Sequence, residues 1–405
     1  MEIERKMKLA PGIYVSEKIC KTKGKTRQNS YILLAASLTF LVYVGYHMCR
    51  VPIGIIENEE SFLNCTEAES DDESVCSSWI LEMENVTKTS ARKKIANMKT
   101  IWGFAYAFCM FPSGYLGDHM DLRHYLSGCT LLYAVTVYLF GAGQTWGIRS
   151  IWYYYVVMAL QVSIIQLSSM LQITISTQGA MSSTGWPGVV AGFGPWLGQS
   201  ARGTLMGIWS TNAFVGNIIG RSLAGDFLEY GWGNSFILLA LILGLLGLLT
   251  WLLLVSHPSD LGFADLVHGD KEDLIKEEDP KTDREETAVG FLEAVTIPGV
   301  IEFAMCLFAS KFVVYIFLFW LPDYVKQTSG VGAADSGYVA NFFEYGGIIG
   351  GITSGILVDL GLGGGLGIYQ ISSPLLNISH YSVCGVSLAL AIPSMLCYQE
   401  LASDW

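Results

Sequence analysis

The sequence predicts an all-α membrane protein, a bundle of about nine transmembrane helices, and three observations predict it. Only 15% of its 405 residues are charged, where soluble chains carry about 25%. The mean hydropathy is +0.41 and 51% of the residues are hydrophobic. Apolar stretches near the length of about twenty residues that crosses a hydrocarbon core recur along most of the chain, without the alternation of a barrel strand. In lipid, backbone amides and carbonyls find no solvent partner, so each such stretch must bond within itself as a helix.

The stretches run over 31–56, 101–116, 125–143, 152–190, 203–228, 236–255, 300–321, 339–358 and 383–398, of which 152–190 is too long for a single span. Residues 1–30 form a basic tail with Lys6, Lys8, Lys18, Lys21 and Arg27, without the apolar core of a cleavable signal. The positive-inside rule puts this tail in the cytosol. Loop 57–95 then faces the lumen or exterior. It carries the sequons of Asn64 and Asn85 and a cysteine pair, Cys65 and Cys76, that an oxidising compartment would join. Arg92, Lys93 and Lys94 on the same loop run against the charge rule.

Segment 256–293 is dense in acids and lysines and reads as a solvated cytosolic linker between an N-terminal half, 31–255, and a C-terminal half, 294–405. The net charge of -12 resides largely in these polar segments, which excludes a basic nucleic-acid surface. One motif repeats between the halves: Gly114-x-x-x-Asp118 and Gly355-x-x-x-Asp359, each closing the second span of its half. Arg123 follows the first copy and can pair with its aspartate across the cytosolic face. Simple helix packing would also account for either copy alone.

Charges inside the spans carry the functional signal. Lys311 falls near the centre of span 300–321, where a lysine costs about 2.5–3.5 kcal/mol on insertion scales. It requires a wet cavity, an anionic substrate or an internal carboxylate, and Glu344 in the next span is the available one. Arg50 lies about two-thirds of the way through its span, a position that suits an interface anchor or a cavity. Arg221, late in the fifth span, reads as an outer anchor. Tyr46 and His47 lie one turn before Arg50, and Tyr315 one turn after Lys311. Two tyrosine-flanked cations from matching helices make a site for a phosphate dianion. Trp209 and Asn212 on the fifth span are placed to meet the same cavity.

The motifs Tyr46-His47-Met48-Cys49-Arg50, Ser183-Thr184-Gly185-Trp186-Pro187, Met206-Gly207-Ile208-Trp209, Gly346-Gly347-Ile348-Ile349-Gly350-Gly351, and Lys311 with Trp320-Leu321-Pro322 resemble the organophosphate:phosphate antiporters of the major facilitator superfamily, animal sugar phosphate exchangers in particular. The resemblance covers residues 10–359 and 383–398. It implies a twelve-helix transporter of endoplasmic reticulum membrane that exchanges a phosphate ester, such as glucose 6-phosphate or glycerol 3-phosphate, for inorganic phosphate by alternating access. It also implies that Arg50 and Lys311 bind the phosphate.

Three departures stand out. A histidine common after the Met206 motif is replaced by Ser210-Thr211-Asn212-Ala213, about seventeen extra residues lie between Gln161 and Gln178, and 361–382 does not match the family's loop. About nine of the twelve helices are present, so the C-terminal half reads as incomplete, as in a partial gene model or isoform. Two alternatives remain: a truncated, nontransporting regulator or scaffold, and a proton-coupled carrier of a neutral sugar with Glu344 as proton carrier. No G-x-x-x-x-G-K-[ST], H-E-x-x-H or paired C-x-x-C occurs, so no enzyme, metal or cofactor is expected, and the partners are phosphate esters, inorganic phosphate and membrane lipid.

Overall fold

The computed structural model describes residues 11–13, 25–56, 63–65, 75–78, 86–87, 93, 96–104, 106–107, 121–160, 202–255, 261, 296 and 300–359. In order, the helices are α1 (Lys25–Met48), α2 (Ile53–Ile56), α3 (Leu122–Thr145), α4 (Ile151–Leu160), α5 (Arg202–Trp209), α6 (Asn212–Asp226), α7 (Trp232–Leu253), α8 (Val300–Ser329) and α9 (Ala333–Asp359). A further helical stretch occupies 96–104. By length and apolarity alone, three described helices qualify to cross a membrane: Gln28–Ile56, Leu122–Thr145 and Trp232–Leu253. Expected spans over 161–190 and 383–398, with Gly114 and Asp118, lie outside the described residues.

The all-α expectation needs one correction. The loop after α2 holds three short antiparallel strands, β1 (Leu63–Cys65), β2 (Val75–Ser78) and β3 (Val86–Thr87), in the order β1-β2-β3. Isolated strands of two to four residues leave little periodic signal to read in a polar loop. Cys65 lies directly opposite Cys76 in the β1–β2 register. Opposed antiparallel residues have Cα atoms about 4.5–5.5 Å apart, inside the range of about 4.4–6.8 Å that a disulfide bridges. Asn64 is on β1, opposite Ser77; Asn85 lies outside the described residues.

Two expected spans are broken, each for a local reason. The first stops at Met48 and resumes at Ile53, because Pro52 offers no N–H to the Met48 carbonyl and disfavours helical geometry before it. The fifth divides at Ser210 and Thr211, whose hydroxyls turn back to Gly207 O (2.9 Å) and Ile208 O (2.7 Å). Such back-bonding competes with the helical ladder and bends helices. Conversely, α8 runs eight residues beyond the expected end at 321, straight through Pro322. The proline withdraws the N–H that would have bonded the Leu318 carbonyl. Arg221 Nη2 reaches that carbonyl at 3.4 Å.

The largest packed core lies between α1, α3 and α7, with Val42, Tyr46, Tyr133, Val137, Phe140, Leu239 and Leu243 buried. The three helices can share it because their apolar residues run around the helix instead of along one stripe, as suits a span inside a bundle. Asp121 caps α3, accepting from His124 N at 3.2 Å. Partial burial pushes the Asp121 carboxyl up, and the backbone and ring of His124 outweigh it, leaving the group below the usual carboxylate range. Gly216 and Gly220, one turn apart on α6, seat that helix against α1. A Cβ at either would come within 2.4 Å of an α1 carbonyl, that of Val44 or Met48. Only glycine permits this approach, and the approach carries α6 side chains up to α1.

Helix α9 lies against both α5 and α6. At one end the Asp359 carboxylate accepts from Gly203 N (2.9 Å) and Thr204 N (2.7 Å), the first amides of α5 that no intrahelical carbonyl reaches. At the other, the Tyr338 hydroxyl donates to Asp226. Gly355 sits backbone to backbone with Gly203 and Gly207. Arg123, the partner expected for Asp118, is buried in the first turn of α3.

Candidate functional site

Arg50 occupies the gap between α1 and α2, where the chain leaves the helix axis. Its Cζ stands 5.6 Å from the centre of the Tyr315 ring on α8, a cation–π distance. Its Nε is buried and has no hydrogen-bond partner. Lys311, one turn before Tyr315 on α8, is exposed and lies within electrostatic reach of both Arg50 and Tyr315. The two cations predicted from sequence are therefore brought together across α1 and α8. Neither forms an ion pair with a carboxylate among the described residues, in which the ion pairs are His124–Asp121 and Arg221–Glu344.

Tyrosines surround the cations. Tyr43, Tyr106 and Tyr133 reach the field of Arg50 along with Tyr315. Tyr43, Tyr106 and Tyr315 also lie within electrostatic reach of one another. The Tyr133 hydroxyl is buried without a partner. Phenolic hydroxyls can donate to an anion's oxygens at no cost in charge. A cleft beside Arg50 is lined by Cys49, Ile53, Lys99, Trp102, Phe140, Phe236 and Phe319. Lys99, which sequence reading passed over as a flank of the second span, is buried, donates to Phe319 O at 3.2 Å and lies 5.3 Å from the Trp320 ring.

Other expected site residues are placed differently. Tyr46 is buried and packs on α3, its ring 5.1 Å from Tyr133 and its hydroxyl 3.5 Å from Thr130 Oγ1. Tyr43, one turn before His47, takes the position expected for it. Trp209 belongs to the core between α5 and α1, where its Nε1 donates to Thr39 Oγ1 at 3.2 Å. Asn212 is fully buried with neither amide atom partnered.

The carboxylate considered for Lys311 is engaged elsewhere. Glu344 Oε1 accepts from Arg221 Nη1 at 2.8 Å, with the two side chains 1% and 0% exposed. Arg221 is thus no interface anchor; position along the span suggested an outer end, but the contact with α9 buries it. Asn217 Nδ2 donates to Glu344 Oε2 at 3.1 Å, and Asn217 Oδ1 lies 3.1 Å from His47 Nδ1. The line Arg221–Glu344–Asn217–His47 joins α6, α9 and α1, and ends three residues before Arg50.

The model of the major facilitator superfamily matches residues 85–398. The glucose-6-phosphate exchanger SLC37A2 of Mus musculus is 32% identical over 428 residues, which span 98% of this chain and 76% of that protein. Its Homo sapiens counterpart is 31% identical, with 98% and 76% covered. An Arabidopsis thaliana protein whose name assigns it to glycerol-3-phosphate transport is 31% identical over 412 residues, 89% of this chain and 72% of its own length. That family match covers well over half of the chain, and the chain belongs to the major facilitator superfamily.

Proposed function

We propose that the protein carries phosphate esters, such as glucose 6-phosphate or glycerol 3-phosphate, across a membrane in exchange for inorganic phosphate by alternating access. The convergence of Arg50 and Lys311 without a neutralising carboxylate among the described residues supports this reading most directly. Two like charges held near one another repel, and a bound dianion removes the repulsion. Arg50 supplies the planar fork that fits two phosphate oxygens, and Lys311 a point charge. Tyr315, His47 and the Tyr43–Tyr106 pair supply neutral hydrogen-bonding groups. Lys99 extends positive charge into the adjoining cleft, and Asn212 has unused hydrogen-bonding capacity at the α5–α6 break.

The relatives named for glucose-6-phosphate exchange and glycerol-3-phosphate transport support the substrate class. Proton-coupled uptake of a neutral sugar is disfavoured because Glu344, its proton carrier, is held by Arg221 and Asn217. The basic tail and the sequon-bearing loop support a multi-pass endomembrane protein, of endoplasmic reticulum type, with a cytosolic N-terminus. In this orientation Asp359 caps α5 on the cytosolic side. The test is uptake of labelled phosphate into phosphate-loaded liposomes, with Arg50→Ala and Lys311→Ala compared against the unaltered chain. Loss of exchange in both is expected, and full exchange in both defeats the two-cation site.

A further inference from the structure

The hydrogen bonds that end on His47 fix more than its position. Glu344, paired with Arg221, is ionised and can only accept. Asn217 therefore turns its amino group to Glu344 and its carbonyl oxygen to the ring, as the 3.1 Å contacts have it. A carbonyl oxygen can only accept, so the proton between Asn217 and the ring belongs to His47 Nδ1. In a neutral ring the lone pair is then on Nε2, which has no protein partner among the described residues. That nitrogen is part of a residue three positions before Arg50 and within electrostatic reach of both Arg50 and Lys311.

On the reading of the site as a phosphate carrier, we infer that Glu344 and Asn217 are positioning residues that present His47 Nε2 as a hydrogen-bond acceptor to a protonated phosphate oxygen, and so make the site select phosphate over sulfate. The two oxyanions share shape and, near neutral pH, charge; they differ in that hydrogen phosphate keeps one P–OH while sulfate keeps none. A lone pair within reach of the anion accepts from that hydroxyl. It meets a bare sulfate oxygen as acceptor against acceptor, an unpaired contact that is costly away from water. A phosphate monoester, whose second ionisation falls near pH 6, offers the same hydroxyl in its monoanionic form. The acceptor thus takes inorganic phosphate and the singly protonated form of the ester. The positive charges alone would attract sulfate equally well.

Two measurements on the full chain test this. The ¹⁵N spectrum of histidine-labelled protein, with the His47 signals assigned by their loss in His47→Gln, reports which ring nitrogen carries the proton. A proton on Nδ1, with added phosphate but not sulfate moving the Nε2 resonance, is expected. A proton on Nε2, or equal shifts from both anions, overturns the inference. In phosphate-loaded liposomes, sulfate should compete poorly with labelled phosphate for the unaltered chain. In Asn217→Leu and in Glu344→Gln, where the tautomer is released, it should compete at about tenfold lower concentration. Unchanged discrimination in a folded variant that still exchanges phosphate also overturns it. Exchange that survives loss of both cations defeats the transport site instead, and leaves the ring tautomer as a separate result.

Discussion

Replacing Glu344 alone by leucine strands the Arg221 guanidinium in a place from which solvent is excluded. Both side chains of the pair are at most 1% exposed and their contact is 2.8 Å. Breaking such a pair costs about 3–5 kcal/mol, because the remaining charge is buried uncompensated. The other contacts of Arg221, to Asn341 Oδ1 at 3.5 Å and Leu318 O at 3.4 Å, are too long to offset that. Arg221→Met alone should cost a similar amount by stranding the carboxylate, which would keep only its bond from Asn217. The double variant, Arg221→Met with Glu344→Leu, strands no charge. It loses the Asn217 hydrogen bond, about 1 kcal/mol, and regains apolar packing, so it should lie within about 2 kcal/mol of the parent. The coupling energy is therefore expected to be at least about 4 kcal/mol. Denaturant unfolding of the four purified proteins in one detergent, followed by tryptophan fluorescence, gives the cycle. Additive single-variant losses would show that the pair is not shielded as the geometry requires.

Three further outcomes are expected. Gly216→Ala places a Cβ within 2.4 Å of the Val44 carbonyl and 2.6 Å of His47 Cβ; overpacking of this kind costs about 1–3 kcal/mol, so a lowered unfolding midpoint and weakened phosphate binding should appear together, and an unchanged midpoint counts against the close α1–α6 approach. Alkylation of Cys65 and Cys76 should require prior reduction, given their opposed register, and Asn64→Gln and Asn85→Gln should each remove one glycosidase-sensitive mass step; labelling without reductant would refute the bridge. Asp359→Ala, which frees the amides of Gly203 and Thr204, should alter the maximal exchange rate more than the apparent phosphate affinity, since the contact lies at the end of α9 and away from Arg50; an affinity loss at constant rate contradicts that placement.

The sequence was informative where a physical cost was local. A lysine in mid-span demands an explanation wherever it occurs, and Lys311 with Arg50 could be singled out before any packing was known. Tyr315 followed from its helical spacing. What could not be read was facing direction. Tyr46 and His47 are neighbours on one helix, yet the first turns toward Thr130 on α3 and the second toward Asn217 on α6, a choice made by helices more than eighty residues away. Glu344 was read as the carboxylate available to Lys311 and Arg221 as an outer anchor, and depth along a span did not show that these two would meet. The glycine contacts of Gly216 and Gly220 press α6 on α1, and the α9 packing gives Glu344 to Arg221. Lys99 was hidden by its place at the edge of an apolar run, although the aromatic residues around it, Trp102 and Trp320, are visible in sequence. The breaks at Pro52 and at Ser210-Thr211 had local signals that a hydropathy window averages away.

Along α9 the polar contacts differ in kind. Asp359 and Tyr338, near its two ends, are exposed, and water can take the place of their partners at little cost. Glu344, between them, has no such substitute, because separating it from Arg221 would leave two bare charges in a dry interior. A rod with exchangeable fastenings at its tips and a permanent one between them behaves as a lever. Any tilt of α9 against α5 and α6 that keeps this pair intact would have to pivot near Glu344.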